Sequence, residues 1–359
     1  MLRALFTLDY EIHGNGEGCS RRLMVEPAGK LMDLLDEYGA KLTIMADAAE
    51  IKRFCDYKEQ IGRDDYHYDL IVAQLQDAIR RGHDIQLHLH TSYFNARHEA
   101  GRWVQDWSEY NLAGLSLPRL NEVIGIGKLT LESILRPADP GYRCIAFRAA
   151  NWSMNPSRNI VRALVNNGFT IDSSVFKYGR RAGLVNFDYR LAPSSLIPWR
   201  VGENDICTRS EAGELLEVPI YCEKRWIGAF ITPQRIRRAY LNRRHRVSRA
   251  CGGVAVGRSV AQEPGGTMPR LLSWLGSRHA WKADFNQCSG RQLIRALERA
   301  ESAGRGVAHD LPFVLIGHSK LFTRFNEMSL RPFLAFVSSH PDRFGFTTYT
   351  ALDPVKFGH

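Results

Sequence analysis

Hydrophobic positions in the first ninety residues fall into two kinds of segment. Short and almost continuous apolar runs are typical of buried strands, whereas apolar residues that recur every three or four positions are typical of packed helices. Gly39 and Gly82 come directly after the two helical patterns, where glycine commonly ends a helix. We predict strands at 3–9, 41–46 and 84–90, and helices at about 27–38 and 69–81. This order of elements indicates a parallel α/β arrangement.

The same alternation of strand and helix patterns resumes after residue 140. We predict strands at 143–147, 169–172 and 313–318, and helices at 156–167, about 290–303 and about 328–339. Two segments interrupt the pattern: residues 93–140 are mixed and aromatic, with one helix at about 119–135, and residues 223–285 are basic and rich in glycine. Long irregular segments inside a compact domain are usually functional or disordered.

The composition is that of an ordinary globular protein, with 359 residues of which 44% are hydrophobic and 24% charged. This length suffices for one large barrel, alone or with an insertion. The first strand begins almost at Met1, without the apolar leader of a secreted protein, so we expect a cytoplasmic location. Seven cysteines form no CxxC pair, which predicts buried or free thiols and no disulfide framework.

The net charge of +10 is concentrated partly in residues 235–249, which contain two groups of neighbouring arginines. A basic run of this kind can bind nucleic acid, a membrane surface or an anionic glycan, or it can be a solvated loop. No nucleic-acid-binding motif lies nearby, so we expect no nucleic-acid partner and favour a solvated loop or contact with a membrane surface.

Two pairs of polar residues are predicted at strand ends. Asp9 and Glu11 are two positions apart, so both carboxylates point to one face, where they repel each other unless a cation or a shared proton intervenes. His88 and His90 have the same spacing, and two imidazoles on one face can converge on one zinc ion. Each pair has a simpler alternative, since either can be a coincidence in a loop or a core.

Further polar residues are predicted at three other strand ends, namely Arg148, Asp172 and His318. The carboxyl ends of parallel strands meet at one edge of a sheet, which is where ligand sites of such folds lie. Two acids, two histidines, an arginine, a further acid and a further histidine are the set that a metallohydrolase requires, although five polar strand ends can also arise by chance.

Five segments resemble the motifs of the polysaccharide deacetylase family (NodB homology, carbohydrate esterase 4). The segment Phe-Thr-Leu-Asp-Tyr-Glu at 6–11 resembles the first motif, usually Thr-Phe-Asp-Asp-Gly, and Gly-His-Asp-Ile-Gln-Leu-His at 82–88 resembles Gly-His-Glu-Ile-x-x-His. Residues 147–152, 171–175 and 315–318 are similar to the later arginine, Asp-Ser-Ser and Leu-x-His motifs. The order matches from residue 3 to about 320, nearest to the branch associated with bacterial surface-polysaccharide biosynthesis.

The resemblance implies one NodB-like domain over residues 1–359, folded as a distorted (β/α)7-type barrel with insertions at about 93–140 and 223–285. The implied activity is removal of an acetyl group, in the first place N-acetyl, from a sugar or glycan precursor. It implies a divalent metal cofactor, Zn²⁺ before others. A cytoplasmic enzyme acting on such a precursor could be peripheral to the inner membrane, with residues 235–249 in contact with the membrane surface.

The resemblance also implies roles for individual residues. Asp9 would be the general base, oriented and kept ionised by Arg148, and His318, in its protonated form, would be the general acid, kept charged by Asp172. The metal ligands would be Glu11, His88 and His90. The residues expected to bind the sugar are Trp152, Tyr93 and Asn151, although Trp152 and Tyr93 can equally be core residues.

Two departures from the family pattern leave alternatives open. Tyr10 separates acids that are usually adjacent, and Ser92 stands where the second metal histidine is expected. His90 is the obvious substitute, with His13 and His98 as more distant candidates. The loss at Ser92 would also suit a catalytically degenerate member that binds a glycan or a partner protein. A third reading is a metal-dependent amidohydrolase that acts on a non-glycan amide.

Overall fold

A computed structural model of the protein describes residues 1–12, 18–230, 232, 235–236 and 278–357. The described strands are β1 (Leu2–Tyr10), β2 (Leu42–Asp47), β3 (Asp84–Leu89), β4 (Arg97–Glu99), β5 (Arg102–Val104), β6 (Ala146–Ala149), β7 (Ile171–Asp172), β8 (Arg180–Arg181), β9 (Phe187–Asp188), β10 (Trp199–Arg200), β11 (Leu216–Glu217), β12 (Cys222–Trp226), β13 (Arg278–Lys282), β14 (Leu311–His318) and β15 (Phe344–Phe346). The α-helices are α1 (Glu26–Asp36), α2 (Ala48–Ile61), α3 (Tyr68–Arg80), α4 (Leu117–Leu135), α5 (Arg158–Asn166), α6 (Gly290–Ala303) and α7 (Arg324–Ser338).

The main sheet curls into a distorted (β/α) barrel, as the sequence predicts. Its strand order is β10-β11-β7-β6-β3-β2-β1-β14, and β15 also pairs with β1. The pairs from β11 through β7, β6, β3, β2 and β1 to β14 are parallel. A parallel bridge between Ile220, which follows β11, and Val314 in β14 brings the two ends of the curled sheet together.

Burial on both faces explains why the strands read as continuous apolar runs. Every residue of β2 and β3 is buried, and so is every residue of β1 except Arg3. Helices cover the outside, and their apolar faces pack on the sheet. Strand register then sets the positions of the polar residues at the carboxyl ends, because Asp9 pairs with His318 and His88 pairs with both Asp47 and Arg148.

The predicted elements are found with small shifts at their ends, apart from one strand, and the short strands β4, β5, β8 to β13 and β15 were not predicted. The strand expected at 143–147 is Ala146–Ala149, so Arg148 lies inside a strand instead of after one. Helix α2 was not predicted; it begins where the Asp47 carboxylate accepts hydrogen bonds from the N–H groups of Ala49 and Glu50. Most of the basic segment 235–249 lies outside the described residues.

The barrel interior is closed from the amino end of the strands by residues that follow β15. The Asp84 carboxylate, at the start of β3, accepts hydrogen bonds from the backbone N–H groups of Tyr349 and Thr350. The Tyr349 side chain is fully buried and its hydroxyl contacts Ser173 and Arg148. This connection links the C-terminal part of the described chain to the residues beneath the site.

Among the described helices, none combines the length and the apolar character that crossing a membrane requires.

Candidate active site

Polar strand ends converge on one pocket at the carboxyl edge of the barrel. The cavity has a volume of about 270 Å³. Its lining residues are Asp9, Glu11, His88, His90, Ala149, Asn151, Trp152, His318, Lys320 and Leu321. Five of the residues expected from strand ends are therefore brought together in a single site, and Arg148 lies directly behind them.

Glu11, His88 and His90 form a buried cluster whose donor atoms all lie within 4.8 Å of one another. Oε2 of Glu11 is 3.2 Å from Nε2 of His88 and 2.7 Å from Nε2 of His90. Burial alone would raise the pKa of the Glu11 carboxyl, but Lys320 and the two histidines hold it well below its usual range. The carboxylate is therefore ionised at neutral pH.

The orientation of His88 is fixed by its other ring nitrogen. Nδ1 lies 2.9 Å from the backbone oxygen of Arg148, so it carries a hydrogen and directs Nε2 toward Glu11. Burial would lower the pKa of His88, but the hydrogen bond to Glu11 and the charge of Asp9 raise it to about 9. Without a metal, His88 is thus a cation paired with Glu11 at neutral pH.

His90, and not Ser92, is the residue that joins Glu11 and His88 in the cluster. Its ring centroid is 5.1 Å from that of His88, and its backbone N–H donates to Asp47 at the end of β2. Ser92 is buried and its hydroxyl contacts Gln105. His98 contacts the Tyr66 hydroxyl at 3.0 Å and packs on Trp103 at the β4–β5 hairpin, while His13 lies outside the described residues.

Asp9 is held between a cation and an imidazole. Its Oδ1 accepts a hydrogen bond from Nη1 of Arg148 at 2.8 Å, and its Oδ2 is 3.5 Å from Nε2 of His318. Burial would raise the pKa of Asp9, but the charge of Arg148, with His88 and His318, lowers it. Arg148 is fully buried and also donates to Thr7 and to the backbone oxygen of Ser173. Asp9 is therefore an ionised and oriented carboxylate.

The protonation state of His318 differs from the expected one. Burial lowers the pKa of His318, against the effect of Asp9 and with a further lowering by Lys320. The imidazole is consequently neutral at neutral pH. Its backbone N–H donates to Oδ1 of Asn286, and no described residue bonds to its Nδ1.

The structure corrects the role expected for Asp172. Its carboxylate accepts hydrogen bonds from the backbone N–H and the hydroxyl of Ser174, and it lies beside Glu217 on the adjacent strand. The charged groups that act on His318 are Asp9, Lys320, Glu11 and Asp284. Asp172 does not contact His318. Asp172 lies on β7, and the segment around Ile220, which bridges to β14, runs between β7 and the strand of His318.

The three residues expected to bind substrate have different positions. Trp152 and Asn151 line the pocket. Tyr93, in contrast, is 0% exposed and belongs to the hydrophobic core, because the short helical turn after β3 directs its ring inward. Of the two alternatives for Tyr93, a stacking face for a sugar is therefore wrong and a place in the core is correct.

Lys320 is a site residue that sequence reasoning missed. Its Nζ lies 2.8 Å from Oε1 of Glu11 and 3.3 Å from the backbone oxygen of Ile12. The available signal was its spacing, since it stands two residues after His318, at the end of a strand. It places a fixed positive charge on the oxygen of Glu11 that faces away from the two histidines.

The Glu11–His88–His90 cluster fits a divalent cation. One carboxylate oxygen and two imidazole nitrogens are donors that Zn²⁺ and similar ions accept, and three protein ligands are the number found in catalytic zinc sites. The hydrogen bond from Nδ1 of His88 to a backbone carbonyl leaves Nε2 for a ligand once its proton is released.

Comparisons with known proteins gave matches among solved structures. No family model matches the sequence, and no curated protein matches it. Among solved structures, a Pseudomonas aeruginosa PAO1 protein assigned as a polysaccharide deacetylase is 14% identical, with 100% of this chain and 91% of that chain covered and a TM-score of 0.49. A Mycobacterium smegmatis protein with the same assignment is 15% identical, with 97% and 87% covered and a TM-score of 0.47. The 4-alpha-glucanotransferase from Thermococcus litoralis is 12% identical, with 97% of this chain and 39% of that chain covered and a TM-score of 0.50. At these identities the similarity concerns the fold, and the reaction has to be argued from the site.

Proposed function

We propose that this protein is a metal-dependent hydrolase of the polysaccharide deacetylase type, which removes an N-acetyl group from a sugar or glycan precursor. The observation that carries the proposal is the arrangement of Glu11, His88 and His90 beside the Asp9–His318 pair within one pocket. A ligand cluster next to a carboxylate base and an imidazole is the combination that hydrolysis of an amide requires.

The cation would be held by Glu11, His88 and His90. When bound, a divalent metal supplies positive charge that polarises an acetyl carbonyl and makes a water molecule more acidic. Zn²⁺ is the ion that this mixed oxygen and nitrogen set suits first. Lys320 stays on the outer oxygen of Glu11 and balances the carboxylate charge.

Asp9 is the general base in this proposal. It accepts a proton as the water oxygen forms a bond to the acetyl carbon, and the buried Arg148 guanidinium keeps it ionised beforehand. His318 is neutral at rest, so the proton that it gives to the leaving nitrogen has to be acquired during the reaction. Oδ2 of Asp9 is 3.5 Å from Nε2 of His318, so the proton passes between them through one bridging water or after the two groups move closer together.

The products are acetate and a free amine on the sugar. The carbon–oxygen bond forms, the carbon–nitrogen bond breaks, and the leaving nitrogen gains the proton that the water has lost. The pocket has room for an acetamido group, since the cluster, the base and the imidazole all line one cavity of about 270 Å³. Trp152 is the aromatic side chain on the pocket wall, where a sugar ring can pack.

Two measurements on the purified full-length protein test this proposal: metal content by elemental analysis and acetate release from N-acetylated sugars. We expect one equivalent of divalent metal and metal-dependent release of acetate. Bound metal without acetate from any N-acetylated sugar would favour hydrolysis of a non-glycan amide. Absence of both metal and acetate would contradict the enzyme and support a glycan- or partner-binding protein.

A further inference from the structure

The pocket wall formed by Asn151 and Trp152 has a strained backbone. Both residues adopt positive φ angles, 55° and 56°, which are unfavourable for residues other than glycine. Such conformations persist only where the surrounding structure enforces them, and they are frequent at ligand-binding sites. The chain therefore maintains this wall at a cost in stability, although the proposed proton transfers use neither residue.

An ammonium group is held against this wall by aromatic rings. Nζ of Lys282, in β13, lies 3.5 Å from the centroid of the Trp152 ring and 4.5 Å from that of Phe176. Cation–π contacts of this kind stabilise the charge, but they satisfy none of the three hydrogen-bond donors of an ammonium. Among the described residues, no oxygen accepts a hydrogen bond from this Nζ.

The neighbouring carboxylates are engaged elsewhere. Asp9 accepts from Arg148, and Asp284 accepts from the backbone N–H of Asn286 and from the side chain of Gln287. Burial lowers the pKa of Lys282 to about 8, although the charges of Asp284 and Asp9 oppose this. The side chain is therefore still mostly charged at neutral pH, as a cation without an ion-pair partner among the described residues.

Asn151 adds a second unsatisfied donor to the wall. Its Oδ1 accepts hydrogen bonds from Nη1 of Arg181 at 3.1 Å and from the Tyr110 hydroxyl at 3.3 Å. Its Nδ2 is buried, and no described residue accepts a hydrogen bond from it. Arg181 also places a guanidinium beside this wall, so the donors here are accompanied by two positive charges.

We propose that this wall binds an anionic group of the substrate, a carboxylate or a phosphate, and that Lys282 determines this specificity. The inference rests on the proposed deacetylation and narrows its substrate to acetamido sugars that carry a negative charge. Oxyanions are rich in acceptors, so they satisfy the donors that a neutral sugar would leave unpaired. The contacts with the Trp152 and Phe176 rings fix the position of the Lys282 ammonium before substrate binds.

Binding of small sugars to the full-length protein tests this inference. The probes are N-acetylglucosamine, N-acetylglucosamine 1-phosphate and N-acetylmuramic acid, titrated calorimetrically into the protein as isolated and after removal of metal. We expect one of the two anionic sugars to bind more tightly than the neutral one. A preference for the 1-phosphate would identify a phosphate ligand, and a preference for the muramic acid a carboxylate. Equal binding of all three would overturn the proposal.

The variants Lys282→Met and Lys224→Met form a matched pair. Lys224 is an exposed residue of the paired strand β12, its Nζ lies 4.9 Å from the Tyr178 ring centroid, and its replacement removes the same charge. We expect Lys282→Met to weaken binding of the preferred anionic sugar by roughly tenfold or more, as expected for a lost charged hydrogen bond, and to leave the neutral sugar unaffected. Equal losses in the two variants would show a general charge effect and contradict a specific site.

A measurement on the wild-type protein keeps the test independent of how the methionine variant folds. Lysines dimethylated with ¹³C can be titrated by NMR, with the Lys282 signal assigned from Lys282→Arg. We expect the preferred anionic sugar to raise the pKa of Lys282 above its unliganded value; no change would overturn the inference. Because binding to the metal-free protein is measured without turnover, the failure of acetate release contradicts only the proposed function, and equal binding contradicts only the anion site.

Discussion

Nζ of Lys320 lies 2.8 Å from Oε1 of Glu11, while Oε2 of the same carboxylate faces His88 and His90. A single buried carboxylate thus contacts a fixed ammonium with one oxygen and the candidate metal position with the other. The ammonium draws negative charge away from the ligand oxygen and repels a second cation nearby. We infer that Lys320 lowers the affinity of this cluster for metal below that of its donor set alone.

Replacement of Lys320 by methionine is therefore expected to strengthen metal binding. We predict that Lys320→Met binds Zn²⁺ about tenfold more tightly, which corresponds to about 1.4 kcal/mol, as measured by competition with a chromogenic chelator. Lys30→Met, on the exposed side of α1, is the control for loss of one positive charge. Weaker binding by Lys320→Met would instead mean that Lys320 is needed to hold Glu11 in its ligand conformation.

Asp9 and His88 are expected to separate catalysis from metal binding. We predict that Asp9→Asn retains metal but loses acetate release by about 10²–10⁴-fold, because the general base is removed. His88→Ala should lose the metal itself, since one of three donors is gone and Glu11 loses its partner. Metal analysis and acetate assays on both variants give the comparison. Undiminished activity of Asp9→Asn would assign the base to another residue.

Metal affinity is expected to depend on pH through His88. The metal-free pKa of His88 is raised to about 9, so below that pH the cation has to displace a proton, whereas Glu11 is already ionised. Affinity should therefore rise by about tenfold per pH unit toward pH 9 and level off above it. Titrations in buffers of different ionisation enthalpy measure the released proton. A constant affinity from pH 7 to 9 would contradict the pairing of a charged His88 with Glu11.

The corrected position of Asp172 leads to a prediction about stability. Asp172→Asn removes an acceptor for two hydrogen bonds from Ser174, so the free energy of unfolding should fall by about 1–3 kcal/mol. The pH dependence of kcat/KM should keep its acid limb, because Asp172 does not contact His318. Urea denaturation and pH–rate profiles give the two readouts, with the exposed Glu211→Gln as control. A shifted acid limb would show that Asp172 does influence the protonation of His318.

The sequence predicts the barrel and much of the site because both depend on local spacing. Alternate residues on a strand share a face, so Asp9 with Glu11 and His88 with His90 could be paired before their distances were known. Local spacing does not say which strand ends are neighbours around a closed sheet. Asp172 was for that reason assigned to the wrong partner.

Other features depend on tertiary contacts that no local pattern shows. The sequence leaves Tyr93 open as a stacking residue or a core residue, and the turn after β3 directs it into the core. Lys282 is not predicted from the sequence because its position at the pocket wall depends on contacts with Trp152 and Phe176, which are more than a hundred residues away in the chain. The neutral state of His318 likewise depends on its burial, which spacing alone does not give.

The arrangement of β1 has a consequence for the order in which the protein is completed during synthesis. This strand pairs with β14 and β15, which follow it by more than three hundred residues in the chain. Its edge therefore stays open, and Asp9 lacks its neighbour His318, until more than three hundred residues have followed. Tyr349, which contacts Arg148 beneath Asp9, emerges later still. A nascent chain would thus assemble this pocket only after β14 has emerged, and β1 would need protection from pairing with other chains until then.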